Sequence, residues 1–525
     1  MYSITLTQLG WATPDGQPIL SDLNLRFRRE RTGIVGRNGV GKSTLLHLLT
    51  GQLAPSSGSI SINCRLAMLR QTVQVEPGET IADLFCARAA LDLLRRVEAG
   101  GASAADIGEA DWTLEARIDA ALAAVSLTLA PDTPLTQLSG GQRTRAALAG
   151  AMFGEPDFLV LDEPTNNLDR EGRQAVRDLV RDWPGGAIIV SHDRELLEEM
   201  DAIVEMSSLG AARYGGGWSA FRALKQVEQA ATEAERARAE SQFDRVHRQA
   251  QKAAERRARR DAGGRRKAAR GDEPAILLGT LRGRAEESSG AARRVAERQR
   301  SAAKAALITA RSQVEVIDPL SVGLPSTGLP PSRIALELDR ITAGYTPGHA
   351  IIDGLSLTIT GPERVAITGP NGSGKSTLLA LISGTLTPWA GKVRTPLSFA
   401  MLDQRVSLLD PVCSIAANFF RLNPGTTNNQ CRAALARFRF RAEAADRIVG
   451  TLSGGQMLRA GLACILGAPT PPSLLILDEP GNHLDLDSLT TVESGLAAYD
   501  GALLVVSHDP AFLDSIRIER TVKLG

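Results

Sequence analysis

Two segments carry residue types that grip phosphate. Gly36-Arg37-Asn38-Gly39-Val40-Gly41-Lys42-Ser43-Thr44 and Gly369-Pro370-Asn371-Gly372-Ser373-Gly374-Lys375-Ser376-Thr377 share the spacing GxxxxGK[ST]. Glycines at that spacing let backbone N–H groups turn toward nucleotide phosphates, and the start of a following helix adds positive partial charge. Lys42 and Lys375 are the expected contacts to the β- and γ-phosphates, and Ser43 and Ser376 the expected Mg²⁺ ligands. A single such stretch could be an ordinary Gly-rich turn between strand and helix. Here it occurs twice.

Two acid pairs follow in the same order. Phe158-Leu159-Val160-Leu161-Asp162-Glu163 and Leu474-Leu475-Ile476-Leu477-Asp478-Glu479 are apolar runs ending in two carboxylates. The first acid of each pair, Asp162 or Asp478, can hold Mg²⁺ through water. The second, Glu163 or Glu479, can orient or deprotonate an attacking water. Acids that merely cap a helix are the plainer alternative, and the duplication weighs against it. His192 and His508 each follow a further apolar run, at 187–190 and 502–506, where a γ-phosphate contact is expected.

These groups need strands that end beside a helix start. The runs at 32–35 and 365–368 precede the glycine loops, Leu-rich helical sequence follows them, and the acid-ending runs read as buried parallel strands. The repeat spacing is 333 residues for the loops, 314 for Leu138-Ser139-Gly140-Gly141-Gln142 against Leu452-Ser453-Gly454-Gly455-Gln456, and 316 for the acids and histidines. The first copy therefore holds about 19 extra residues, expected near 100–111.

The LSGGQ elements, with loop, acid pair and histidine, resemble the ATP-binding cassette ATPases over some 400 residues. The resemblance implies two cassettes packed head to tail, each ATP lying between the loop of one and the LSGGQ of the other. One site would join 36–44 to Ser453, Gly454, Gly455 and Gln456. The other would join 369–377 to Ser139, Gly140, Gly141 and Gln142. Gln71 and Gln404 match the family glutamine that senses Mg²⁺ and water, and Trp11 and Tyr345 match the aromatic that stacks on adenine. Core packing is the alternative for these two aromatics. With both acid pairs and both histidines present, both sites are expected to hydrolyse ATP.

The 525 residues suffice for three or four domains, and their 60 Lys+Arg against 59 Asp+Glu leave a net charge of +1. That average conceals a patch. Residues 225–315 hold 22 Lys+Arg and 13 Asp+Glu, a net of +9, so the remainder carries −8. The densest part, 245–270, has 11 basic and 2 acidic residues. Helix-forming sequence over 225–262 is expected to break at Gly263-Gly264, Gly271 and Pro274 and to resume near 286–314, giving two antiparallel helices with a basic tip around 271–284. The expected fold is α/β: two P-loop cassette domains, 1–222 and 333–525, joined by a charged helical-hairpin linker at 223–332. There is no membrane-length apolar run, no visible secretory signal, and no CxxC pair among five cysteines.

Asp162-Glu163-Pro164-Thr165-Asn166-Asn167-Leu168-Asp169 and Asp478-Glu479-Pro480-Gly481-Asn482-His483-Leu484-Asp485 resemble the DEPTNHLD signature of the ABC-F subfamily. Tyr214-Gly215-Gly216-Gly217-Trp218-Ser219-Ala220-Phe221 resembles its stretch leading into the linker. The resemblance implies a cytoplasmic, monomeric ATPase that uses ATP and Mg²⁺ and acts on the ribosome, contacting rRNA and tRNA through the linker. A basic probe with a single aromatic, Phe243, suits backbone and shape contact with RNA. Asn167 and Gly481 depart from the signature, so their contacts are expected to differ. The 67 residues from Gln71 to Leu138 leave little room for the extra arm of some members. With 16 residues after Asp509, the C-terminal coiled coil of DNA-binding members is not expected. The motor of a transporter with separate membrane subunits and a DNA-associated ATPase are the alternatives.

Overall fold

Continuous apolar runs become the inner strands of two parallel sheets. The computed structural model describes residues 2–69, 78–101, 103–166, 168–207, 209–268, 294–295, 297–310, 323–482 and 484–524. In the first copy the sheet order is Leu66–Leu69, Phe158–Asp162, Gly186–Val190, Arg31–Gly36, Ala202–Ser207, Gly210–Gly215. Only the last strand runs antiparallel to its neighbour. The second copy has Phe399–Leu402, Leu474–Asp478, Ala502–Val506, Arg364–Thr368 and Arg520–Lys523, all parallel. Phe158–Asp162, Gly186–Val190 and Ala502–Val506 are buried at every residue, as strands covered on both faces require.

Each copy adds a three-stranded antiparallel sheet: Pro18–Phe27, Ile4–Ala12 and Ser57–Ile62 in the first, Ile352–Thr360, Ile334–Ala343 and Ala390–Arg394 in the second. One core in the first copy joins both sheets to the helix Lys42–Leu49, with Leu6, Leu25, Leu45, Leu46, Phe158 and Ile188 in contact. That packing fixes the helix N-terminus against the sheet edge. The extra residues of the first copy include the helix Ala104–Glu109, started by a capping box in which Ser103 and Asp106 satisfy each other's backbone N–H.

The chain divides into one unit of Met1–Ser219 with Leu320–Gly525 and a second of Ala220–Pro319. The helix Trp218–Ala268 is 51 residues long. It corrects the first part of the expected break, because it runs through Gly263-Gly264, while Gly271 and Pro274 lie outside the described residues. A glycine costs about 1 kcal/mol in a helix interior, and the surrounding Ala, Arg and Lys are good helix formers. The chain is helical again at 294–295 and 297–310. The expected tip at 271–284 lies outside the described residues. No helix among the described residues is long and apolar enough to cross a membrane.

Candidate nucleotide sites

The motifs of each copy meet at the carboxyl edge of one parallel sheet. The loop follows the strand Arg31–Gly36, the acid pair closes Phe158–Asp162, and His192 follows Gly186–Val190. Ligands of open α/β sheets bind at this edge. Gly36 has φ +148°, and a Cβ there would stand 2.2 Å from the Met206 carbonyl oxygen; Gly369 has φ +152° and would meet the Leu524 oxygen at 2.3 Å. Only glycine lets the loop pass that close to the neighbouring strand. Gly41 and Gly374 begin the helices Lys42–Leu49 and Lys375–Ile382 with no side-chain cap, so the first-turn N–H groups are left for an anion.

Both lysines bend back onto their own loops. Lys42 Nζ donates to the carbonyls of Gly36 and Arg37 at 2.6 and 3.1 Å, and Lys375 Nζ to Gly369 and Pro370 at 2.8 and 2.9 Å. Burial lowers the pKa of Lys42, against the pull of Glu163, Asp485 and Asp162. Burial pushes the Asp162 carboxyl up, and a hydrogen bond from the Ser43 hydroxyl opposes it. A hydroxyl paired with a buried carboxylate suits a Mg²⁺ completed by phosphate oxygens and water rather than by a protein cage.

Glu163 and Glu479 share a strained backbone, at φ +49° and +47°. Their amides donate to Val190 and Val506 at 2.9 Å each, which holds the turn in place. Such non-glycine conformations persist only where the surroundings enforce them. His192 Nε2 lies 3.3 Å from Glu163 Oε1, and the His192 amide donates to Oε2 at 3.3 Å. His508 Nε2 lies 3.5 Å from Glu479 Oε1. Burial pushes Glu163 up to about 8 and Glu479 to about 7, and drives His192 down to about 3 and His508 to about 4. The histidines are therefore neutral near pH 7, and burial holds both acids above the usual carboxylate range.

Ser139 and Ser453 cap the helices Gly140–Phe153 and Gly454–Leu466. Ser139 Oγ accepts from the Gln142 amide while Gln142 Oε1 accepts from the Ser139 amide, and Ser453 and Gln456 repeat the arrangement. The LSGGQ pattern is thus a capping box, with Gly140 and Gly454 exposed at the helix starts and Gly141 and Gly455 buried behind them. Two residues that reading by motif left out of the site connect the copies. Asp485 Oδ2 accepts from the Asn38 amide at 2.8 Å, and Asp169 Oδ2 accepts from the Asn371 amide at 3.3 Å. Each aspartate also caps its own helix through Oδ1, from Ser488 and Gly172. Burial raises the Asp485 carboxyl, but these hydrogen bonds outweigh it and hold the group below the usual range. The sequence signal was an Asp just ahead of a helical pattern.

The remaining expected residues divide. Trp11 packs partly against the first core, whereas Tyr345 is 64 % exposed. Gln404 is exposed just beyond the strand Phe399–Leu402. Thr44 and Thr377 lie in the first turn of their helices, with Thr377 buried. Gln71, Asn167 and His483 lie outside the described residues. A cavity of about 30 Å³, room for a water or two, is lined from both copies by Arg173, His192, Asp193, Glu479, Ser507 and Asp509.

Duplicated phosphate loops, acid pairs and capped LSGGQ helices, with each loop touched by the other copy, define an ATP-binding cassette ATPase. The family described as ABC transporter matches residues 20–166 and 352–482. The tylosin resistance ATP-binding protein TlrC of Streptomyces fradiae is 33 % identical over 94 % of this chain and 92 % of its own. The energy-dependent translational throttle protein EttA of Mycobacterium tuberculosis is 30 % identical over 94 % and 87 %. Human ATP-binding cassette sub-family F member 3 is 30 % identical over 94 % and 67 %. The archaeal ribosome recycling factor aABCE1, solved with a stalk protein, shares the fold at a TM-score of 0.61 and 19 % identity, over 99 % of this chain and 87 % of that one. The chain belongs to the ABC-F subfamily of ATP-binding cassette proteins and is an ATP hydrolase.

Proposed function

We propose that this ATPase couples ATP binding and hydrolysis to ribosome binding, and so regulates translation from the cytoplasm as a monomer. The division is into cassettes 1–222 and 333–525 and a linker 223–332. ATP lies between the 36–44 loop and Ser453–Gln456 in one site, and between the 369–377 loop and Ser139–Gln142 in the other. Ser43, Asp162 and Gln71, and Ser376, Asp478 and Gln404, hold the Mg²⁺ that offsets phosphate charge. Glu163 and Glu479 take the proton of the attacking water, and the neutral His192 and His508 orient it and the γ-phosphate. Trp11 and Tyr345 stack on adenine.

The observation that carries the ribosomal reading is the net +9 of 225–315, with its densest stretch largely on the helix Trp218–Ala268. A one-signed helical excess suits RNA phosphates. The names of two relatives, a translational throttle and a tylosin resistance protein, support it and favour a second reading, ribosome protection against an antibiotic. The test is sedimentation of Glu163→Gln/Glu479→Gln with purified ribosomes and ATP. The variant is expected in the ribosomal pellet; recovery in the supernatant overturns the ribosomal role. The protection reading is overturned if expression leaves tylosin susceptibility unchanged.

A further inference from the structure

Among the described residues, the ion pairs between the two cassettes fall on one side. The helix Leu486–Ala498 of the second cassette meets the first at three points. Its capping Asp485 takes the Asn38 amide, Asp487 lies 3.7 Å from Arg37, and Glu493 pairs with Arg194. The last pair is double, Nη1 to Oε1 at 2.9 Å and Nη2 to Oε2 at 3.1 Å, with side chains 13 % and 11 % exposed. Arg37 belongs to the phosphate loop, and Arg194 lies two residues beyond His192. All three contacts close on the same site.

Among the described residues, the counterparts of the two ion pairs are missing on the other side. Counted from the capping Asp169, the helix Arg170–Asp182 carries Arg177 where its mate carries Glu493. Pro370 stands at the place of Arg37 and Pro510 at that of Arg194. Arg177 turns instead to Glu195 of its own cassette, and Arg173 lies 3.7 Å from Asp193. Among the described residues the second site keeps Asp169 with Asn371, at 3.3 Å against 2.8 Å for its counterpart, and the charge of Arg173, which lowers the pKa of the Glu479 carboxyl and of the His508 imidazole from across the interface.

We infer that the two nucleotide sites are inequivalent: the site built on 36–44 is held closed by the second cassette, and the site built on 369–377 is the one that opens to exchange nucleotide. Arg194 is then a positioning residue. It ties the loop of His192 to Glu493 across the interface and touches no reacting atom. The Arg37–Asp487 pair is more exposed and contributes less. The inference rests on the ATP sites proposed above but not on any ribosomal partner.

The test follows release of a fluorescent methylanthraniloyl-ATP from full-length Glu163→Gln/Glu479→Gln protein, chased with excess ATP. Two phases are expected. Lys375→Ala removes the fast one and Lys42→Ala the slow one. Arg194→Ala should accelerate the slow phase by about tenfold or more, as expected for truncating one partner of a buried charge pair. Arg194→Glu/Glu493→Arg should restore it, which a merely structural defect would not allow. Should Arg194→Ala fail to fold, Arg177→Glu/Pro510→Arg installs the missing pair and should slow the fast phase. Equal release rates from the two sites, or a slow phase that survives Lys42→Ala, overturns the inference while leaving ribosome binding intact. Loss of ribosome sedimentation with two distinct phases would do the reverse.

Discussion

The carboxylate of Asp485 accepts the amide of Asn38 at 2.8 Å through Oδ2, while Oδ1 accepts the amide of Ser488, also at 2.8 Å. One side chain thereby caps a helix in the second cassette and closes on the phosphate loop of the first. Asp485→Ala loses both bonds. A lost cap costs about 1 kcal/mol, so a small drop in the denaturation midpoint is expected, with a larger fall in ATP turnover. Asp169→Ala should reduce turnover less, because its contact with Asn371 is longer. Steady-state ATPase rates of the two variants check the ranking, and equal losses would refute it.

The strained backbone at Glu163 and Glu479 predicts a conflict between stability and activity. Both residues sit at positive φ, where a Cβ is unfavourable. Glycine carries no such penalty, so Glu163→Gly should be more stable than Glu163→Ala by about 1 kcal/mol, although neither can take the proton of the attacking water. Thermal unfolding of the pair measures the backbone contribution, since both lose the same buried carboxyl. A glycine variant no more stable than the alanine would mean that the turn is not strained.

The loops, acid pairs and histidines are legible in sequence as candidates because each is a short contiguous string whose proposed chemistry depends on local geometry. Gly36 and Lys42 lie within one turn of chain, and a strand before with a helix after suffices to place them. The partners of Asn38 and Arg194 are hundreds of residues away, at Asp485 and Glu493. No local pattern brings them together; only the meeting of the two cassettes does. The passage of the long helix through Gly263-Gly264 was missed for another reason. Glycine lowers helix stability by a fixed amount, and the outcome depends on the sum over a long favourable stretch.

The loop glycines should separate two kinds of damage. A Cβ at Gly36 would collide with the Met206 carbonyl at 2.2 Å, whereas one at Gly39 meets nothing within 4 Å and faces only its φ of +88°. Gly36→Ala must displace a strand and should abolish ATP binding and lower the melting temperature. Gly39→Ala should cost roughly 1 kcal/mol of local strain and weaken ATP binding while the fold stays intact. Equilibrium binding of a fluorescent ATP analogue, alongside circular dichroism melts, distinguishes them.

Ser139 allows the cap to be separated from the charge beside it. Its Oγ accepts the Gln142 amide at 3.2 Å, and alanine there should cost about 1 kcal/mol of stability. Aspartate caps as well as serine does, so Ser139→Asp should melt close to the unsubstituted protein. It would also place an anion at a helix start proposed to face ATP phosphate, where like charges repel. ATP turnover should therefore fall further in Ser139→Asp than in Ser139→Ala, reversing the order of their stabilities. Raising the salt concentration should recover part of the aspartate loss by screening, and little of the alanine loss. If turnover instead follows stability, with aspartate the more active, the serine acts only as a cap and the amides of Gly140 and Gly141 do not face phosphate.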